Sequence, residues 1–171
     1  MSIVLIGYRG SGKSTIGKLL ADRLWQTFVD TDQLIQQAAG KSIKEIFEHD
    51  GEPHFRDLER DAIARVSQLE EHVISLGGGA LMREQNRAAL AGKGHKLIYL
   101  RCEPEELLRR IEQDPQTAAD RPNLTGLGGG IDEIKGLLAE REPVYRQMMH
   151  AELEVTHLTP AEAAVYIVKL L

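Results

Sequence analysis

Cysteine, aromatic residues and positive charge are all scarce in this chain of 171 residues. The single cysteine, Cys102, excludes an internal disulfide framework and is typical of a reducing compartment, so we expect a cytoplasmic protein. A net charge of −5 excludes the basic field of nucleic-acid-binding domains, so we expect no nucleic-acid partner. No apolar run approaches the roughly 20 residues that span a bilayer, and the N-terminus lacks the pattern of a signal peptide. We therefore expect no membrane partner.

The chain instead contains a regular alternation of short apolar strands and amphipathic helices. We predict strands at 3–6, 27–30, 72–76, 96–100 and 153–155. We predict helices at 15–24, 32–39, 42–48, 53–69, 83–91, 103–112, 131–149 and 160–171. Ser42 and Glu45 fit a capping box at the start of the third helix. Such alternation is typical of an α/β domain in which helices cover both faces of a parallel sheet, here of five strands. The length fits a single domain, 1–171, and no repeat or linker divides it.

The most informative stretch is residues 7–14, which read GYRGSGKS and match the pattern G-x-x-x-x-G-K-[ST]. The stretch lies between a predicted strand and a predicted helix, which is the context in which this pattern holds phosphate groups. Glycines let backbone N–H groups approach an anion at the start of the helix. We therefore predict a nucleoside triphosphate site, with Lys13 on the β- and γ-phosphates and the Ser14 hydroxyl on Mg²⁺. The expected nucleotide contacts are Gly10, Ser11, Gly12, Lys13, Ser14 and Thr15.

Acidic residues and glycines follow the next two predicted strands. The sequence Asp30-Thr31-Asp32 ends the second strand, and residues 77–79, all glycine, end the third. Ligands of doubly wound sheets bind beyond the carboxyl ends of the strands, so these segments should meet the phosphate loop at one rim. One carboxylate would then hold the water shell of Mg²⁺, and the other would accept a proton from an attacking hydroxyl. The alternative is that the aspartates only cap the following helix and the glycines only form a tight turn.

Two arginines and a long loop are candidates for binding an anionic substrate. Arg56 lies in the segment GEPHFRDLE and Arg141 in AEREPVY. Guanidinium groups bind carboxylates and phosphates bidentately, although an ordinary solvated salt bridge is the alternative for each. Residues 114–130 break the helical pattern with prolines and glycines, and a loop of this length is either a lid or a surface insertion. Arg121 in its middle favours a lid.

Taken together, these segments resemble the shikimate kinase family over nearly the whole chain. The resemblance is carried, in order and with similar spacing, by the segments GYRGSGKST (7–15), FVDTD (28–32), GEPHFRDLE (51–59), SLGGG (75–79), RP (121–122) and REPVY (141–145). Many nucleotide-binding enzymes share the phosphate loop, whereas the aspartate, arginine and glycine segments in combination are close to diagnostic. The resemblance implies a P-loop NTPase fold, a three-layer sandwich like that of nucleoside monophosphate kinases. It also implies transfer of the γ-phosphate of ATP to the 3-hydroxyl of shikimate.

The resemblance implies roles for several residues on the acceptor side. Asp32 would hydrogen-bond the shikimate hydroxyls and serve as the base. Arg56 and Arg141 would bind the shikimate carboxylate, and Gly78 would donate its backbone N–H to the substrate. Glu59 would orient Arg56.

On the donor side, the resemblance implies Mg²⁺ as the cofactor and ATP as the second substrate. Ser14 would be a direct ligand of Mg²⁺, and Asp30 would support it through water. Lys13 and Arg121 would stabilise the transferred phosphoryl group, with Arg121 carried on a lid at about 114–130. We also expect a monomer, with shikimate bound along a helical segment at about 32–60.

The chain departs from the family pattern in two places. The segment between Arg110 and Arg121 is long, and the lid carries extra glycines at 126 and 128–130. Residues 156–160 lack the arginine that some relatives have on the adenine side, so we assign no adenine contact near His157. Two alternatives stay open at this point: a related small-metabolite kinase, such as one for gluconate, and a nucleotide-binding module without catalytic activity.

Overall fold

The computed structural model describes residues 1–115, 123, 125 and 128–171. One sheet of five parallel strands forms its centre, in the order β2-β3-β1-β4-β5. The strands are β1 (Ile3–Ile6), β2 (Thr27–Asp30), β3 (His72–Ser75), β4 (Lys96–Arg101) and β5 (Ala151–Glu154). The helices of the described residues are α1 (Lys13–Leu24), α2 (Thr31–Ala39), α3 (Ile43–His49), α4 (Glu52–Val66), α5 (Glu84–Leu90), α6 (Pro104–Gln113), α7 (Ile131–Met148) and α8 (Pro160–Leu170). The predicted parallel α/β sheet is confirmed.

Helices bury both faces of the sheet, because alternate residues of each strand point to opposite sides. In β1, Leu5 packs in one apolar cluster with Leu20 of α1. The neighbouring Ile6 packs in a second cluster with Ile63 of α4 and Tyr145 of α7. The result is the predicted sandwich of helix, sheet and helix. Among the described residues, no helix combines the length and the apolar character that crossing a membrane requires.

A third apolar cluster joins α2, α3 and α4 at the side of the sheet. Its buried members are Ile35, Ile43, Ile46, Phe55 and Ala62. The predicted capping box at the start of α3 is confirmed, since the side chains of Ser42 and Glu45 each accept from the other residue's backbone N–H. This cluster holds α4 in place next to the segment that leaves β2.

Most boundaries differ from the predicted ones by only one or two residues, and three differences have more to say about the structure. Helix α4 ends at Val66 instead of residue 69, because the N–H groups of Gln68 and Leu69 donate to carbonyls only three residues back and close tight turns. Strand β5 occupies Ala151–Glu154 instead of 153–155, because its pairing with β4 begins at Ala151 and Ile98. A single turn of 3-10 helix at Ala80–Met82 follows the glycine triplet, where the sequence predicts only a turn.

Helix α1 packs so closely on the sheet that no side chain fits at Gly17. A methyl group on Gly17 would lie 2.5 Å from the ring of Phe28 and 3.3 Å from Leu5. The rigid ring and the helix must therefore move apart in Gly17→Ala. We expect a net loss of about 1–3 kcal/mol in the free energy of unfolding, measured by urea titration. The loss exceeds the gain of about 1 kcal/mol that alanine brings to a helix interior.

The matched control is Gly136→Ala on α7, where nothing lies within 4 Å of the added methyl group. There the helix propensity of alanine acts alone and should stabilise the protein slightly. If both variants were equally stable, the packing of Gly17 against Phe28 would not constrain the fold.

Candidate active site

The carboxyl ends of β1, β2 and β3 meet at one rim of the sheet. Leu5 of β1 and Asp30 of β2 both pair with Ser75 of β3, so the segments that follow these strands begin at the same level. The phosphate loop, the aspartates and the glycine triplet therefore converge, as the sequence predicts.

The phosphate loop closes around the side chain of Lys13. The Lys13 ammonium donates to the carbonyl oxygens of Gly7 at 2.7 Å and Tyr8 at 2.9 Å. Helix α1 begins at Lys13, and its N-cap Gly12 has a left-handed φ of 92° and no side chain that could accept from the first N–H groups. The N-terminus of α1 therefore presents backbone donors and a positive dipole to an anion.

A cleft of about 580 Å³, here called the larger cleft, lies over this loop. Five of the six predicted nucleotide contacts line it: Gly10, Gly12, Lys13, Ser14 and Thr15. Ser11 is buried, and its backbone N–H donates to the Tyr8 carbonyl at 3.2 Å, which tightens the loop. The wall of the cleft also contains His157, a residue to which the sequence alone assigns no role.

Asp30 connects the end of β2 to the phosphate loop. One carboxylate oxygen accepts from the Ser14 hydroxyl at 2.6 Å, and the other accepts from the Asp32 N–H at 2.9 Å as the N-cap of α2. The capping role and the role beside the loop therefore coexist in one side chain. A hydroxyl and a single carboxylate suit Mg²⁺, which keeps several waters and takes few protein ligands when phosphates are present.

A second, smaller cavity lies on the other side of Asp32. Asp32 lines both the larger cleft and this smaller cavity. Arg56 and Arg141 line the smaller cavity together with the glycine triplet at 77–79. The predicted acceptor residues are thus brought together, and Asp32 lies between them and the phosphate loop.

The two arginines of the smaller cavity are held in different ways. Arg56 pairs with Glu59 at 2.9 Å and with Glu52 at 3.3 Å. Burial raises the pKa of the Glu59 carboxyl, and the charge of Arg56 opposes that rise. Arg141 is only 5% exposed and forms no salt bridge within the described residues. Its guanidinium instead lies over the ring of Tyr8, 5.7 Å from the centroid.

The glycine triplet brings its backbone against these side chains. A methyl group on residue 79 would lie 2.8 Å from Nη1 of Arg56, and one on residue 78 would lie 3.2 Å from Nη1 of Arg141. A methyl group on residue 77 would lie 3.0 Å from Oδ1 of Asp32. A side chain at any of these positions would therefore displace a group that lines the smaller cavity, because the backbone itself forms one wall of it.

Arg121 and the centre of the predicted lid lie outside the described residues. Its expected position over the phosphates stays a prediction from the sequence.

The sequence analysis missed the contacts that fix the glycine triplet. Tyr145 donates from its hydroxyl to the carbonyl of Gly78. The Thr31 hydroxyl donates to the Ser75 carbonyl and accepts from the N–H of Gly77, each at 3.2 Å. A helical spacing of four residues from Arg141 could have placed Tyr145 on the same helix face, but no local pattern indicates the role of Thr31.

Thr31→Val tests this link between β2 and the glycine triplet. Thr31 is fully buried, so valine preserves its shape but leaves the Gly77 N–H without this acceptor. We expect a loss of about 1–3 kcal/mol in unfolding free energy, measured by urea titration. Thr31→Ser retains the hydroxyl and should recover most of the loss. Equal stability of the valine variant and the wild type would contradict the assignment.

Comparison with known proteins adds independent information. The sequence model of the family described as "Shikimate kinase" matches residues 9–171. The shikimate kinase of Rhodopirellula baltica is 41% identical over 167 residues, covering 98% of this chain and 88% of the relative. The shikimate kinase of Thermobifida fusca is 43% identical over 166 residues, covering 97% and 92%.

A solved structure agrees with these sequence matches. The shikimate kinase of Acinetobacter baumannii, determined in complex with shikimate, superposes with a TM-score of 0.91 at 31% identity, covering 99% of this chain and 91% of that one. The chain therefore belongs to the shikimate kinase family.

Proposed function

We propose how individual residues of this chain carry out the reaction of its family, the ATP-dependent phosphorylation of shikimate. ATP occupies the larger cleft over the phosphate loop, and shikimate occupies the smaller cavity. Asp32 lies between them, and the 3-hydroxyl of shikimate attacks the γ-phosphorus in line. Catalysis is then mostly positioning and electrostatic stabilisation.

The observation that carries this proposal is the buried, unbridged guanidinium of Arg141. A buried charge without an opposite charge is costly, and a ligand carboxylate would relieve that cost by a bidentate contact. Arg56 lines the same cavity and is already oriented by Glu59. Two converging guanidinium groups beside a hydroxyl-accepting carboxylate fit a small hydroxylated acid. They fit a nucleoside or a neutral sugar less well, because neither carries a carboxylate.

Asp32 is the proposed base. It lines both cavities, so a hydroxyl bound in the smaller one can reach both its carboxylate and the γ-phosphate. The carboxylate would take the proton as the oxygen–phosphorus bond forms. The Gly78 N–H is proposed to bind a substrate oxygen, because Tyr145 fixes the orientation of this peptide through its carbonyl.

Lys13, Ser14 and Asp30 are proposed to act on the phosphates. Lys13 would leave the Gly7 and Tyr8 carbonyls and donate to the β- and γ-phosphates. The Ser14 hydroxyl would be a direct ligand of Mg²⁺, and Asp30 would hold its water shell. The metal supplies neutralisation of charge on the β- and γ-phosphates when bound. Arg121 is proposed, from the resemblance alone, to complete this cluster.

The remaining assignments are proposals from the sequence. They are a single domain over 1–171, a shikimate-binding helical segment at about 32–60, and a lid at about 114–130 that excludes water when closed. A monomer that works in the cytoplasm, without nucleic-acid or membrane partners, completes the proposal.

The experiment that tests the function is an ADP-release assay with Mg·ATP and separate acceptors. Shikimate, gluconate and nucleoside monophosphates are compared at equal concentrations, and the product is located by ³¹P–¹H NMR. We expect ADP release that depends on shikimate, with the phosphate on the 3-hydroxyl. Release that depends on gluconate alone would support a different small-metabolite kinase, and release with no acceptor would indicate a nucleotide hydrolase.

Arg141→Ala and Arg56→Ala test acid recognition. Each leaves the substrate carboxylate short of one charged partner, which typically costs 2–5 kcal/mol. We expect the KM for shikimate to rise by about 30-fold or more, with the KM for ATP changed far less.

The matched controls are Arg146→Ala on α7 and Arg60→Ala on α4, which remove exposed arginines from the same two helices. Both should leave the two KM values near those of the wild type. An Arg141 variant with an unchanged KM for shikimate would remove this residue from the acid site.

A further inference from the structure

Tyr8 occupies an unusual place for a residue of a phosphate loop. Its side chain is 2% exposed and belongs to the apolar cluster beneath the sheet face that α1 covers. The guanidinium of Arg141, which lines the smaller cavity, lies over the face of the Tyr8 ring, 5.7 Å from its centroid. Tyr8 itself lines that cavity. A residue of the donor loop therefore touches the acid-binding side of the site.

The aromatic ring, and not the hydroxyl, explains why a tyrosine stands at position 8. The Tyr8 hydroxyl is buried and has no hydrogen-bond partner among the described residues. A buried hydroxyl without a partner costs free energy, so hydrogen bonding does not explain the tyrosine. The face of an aromatic ring is electron-rich and attracts a cation within about 6 Å, most strongly where water is excluded.

Arg141 depends on such contacts because the described residues supply no carboxylate bridge. Its other partner is the hydroxyl of Tyr145. Burial raises the pKa of this hydroxyl, and the charge of Arg141 opposes part of that rise. The backbone of Gly78 lies close to the guanidinium, since a methyl group added there would be only 3.2 Å from Arg141 Nη1. Ring, hydroxyl and backbone thus surround the guanidinium before any acid binds.

The Tyr8 ring is itself held in place by its backbone. The Tyr8 carbonyl accepts from the Lys13 ammonium at 2.9 Å and from the Ser11 N–H at 3.2 Å. The bond from Ser11 does not depend on Lys13, so the backbone of Tyr8 is fixed within the same loop that would hold the nucleotide.

We infer that Tyr8 is a positioning residue for Arg141, and that its ring face presets the guanidinium for the carboxylate of the acid substrate. This inference rests on the proposed role of Arg141. The competing interpretation is that Tyr8 merely fills the core. Core filling requires apolar volume, whereas positioning requires an aromatic face, so substitutions that separate volume from aromaticity distinguish the two.

The test compares Tyr8→Phe with Tyr8→Leu and Tyr8→Met in the full-length enzyme. Phenylalanine keeps the ring and removes the unpartnered hydroxyl, so we expect both KM values within twofold of the wild type and equal or higher thermal stability. Leucine and methionine remove the ring, and we expect the KM for shikimate to rise about five- to thirtyfold with the KM for ATP within twofold. Methionine is flexible enough to fill the space, which protects the comparison if the leucine variant does not fold.

Calorimetric titration of shikimate and a double-mutant cycle complete the experiment. In an Arg141→Ala background, Tyr8→Met should cause no further loss of shikimate affinity, because the residue it positions is gone. Additive losses would overturn the inference, as would a Tyr8→Met enzyme with lower thermal stability and an unchanged KM for shikimate. If Arg141→Ala alone left shikimate binding intact, the proposed acid site would fail first, and the two failures are thereby distinguished.

Discussion

Parallel pairing of β3 with both β1 and β2 is the constraint on which the two cavities depend. Because Leu5 and Asp30 share the partner Ser75, three chain segments leave the sheet at one level. The phosphate loop follows the first strand, Asp30 follows the second, and the glycine triplet follows the third. A shift of one residue in either pairing would turn the side chain at the end of β2 to the opposite face and separate Asp30 from the Ser14 hydroxyl.

Several cations gather at this rim in a protein of net charge −5, and three of them, Lys13, Arg56 and Arg141, are held in different ways. Lys13 donates to two backbone carbonyls of the phosphate loop, at Gly7 and Tyr8. Arg56 is held by Glu59, which fixes its direction and offsets part of its charge. Arg141 lies over an aromatic face and forms no salt bridge with a carboxylate of the described residues. Local placement, not overall charge, therefore makes this site attractive to anions.

Sequence patterns predicted the helices and strands and the residue types that surround the two cavities, because both depend on short spacings. The strand, loop and helix around Lys13, and the capping box of Ser42 and Glu45, are local and were predicted correctly. The sequence could not decide whether Asp30 caps a helix or contacts the phosphate loop. In the structure its side chain contacts both Ser14 and Asp32. The bond of Thr31 to Gly77 joins residues 46 positions apart, and no local pattern carries that information.

In the proposed acid site, arginine suits position 141 better than lysine would. A lysine could supply the charge, but its ammonium is compact and lacks the planar face that lies over the Tyr8 ring. It also lacks the fork that binds both oxygens of a carboxylate. The phosphate loop binds ATP in many enzymes and specifies no acceptor, so the choice of acceptor depends on how the second cavity holds its arginines. In this chain one residue of the loop, Tyr8, also belongs to that cavity, so the donor loop contributes to the shape of the acceptor site.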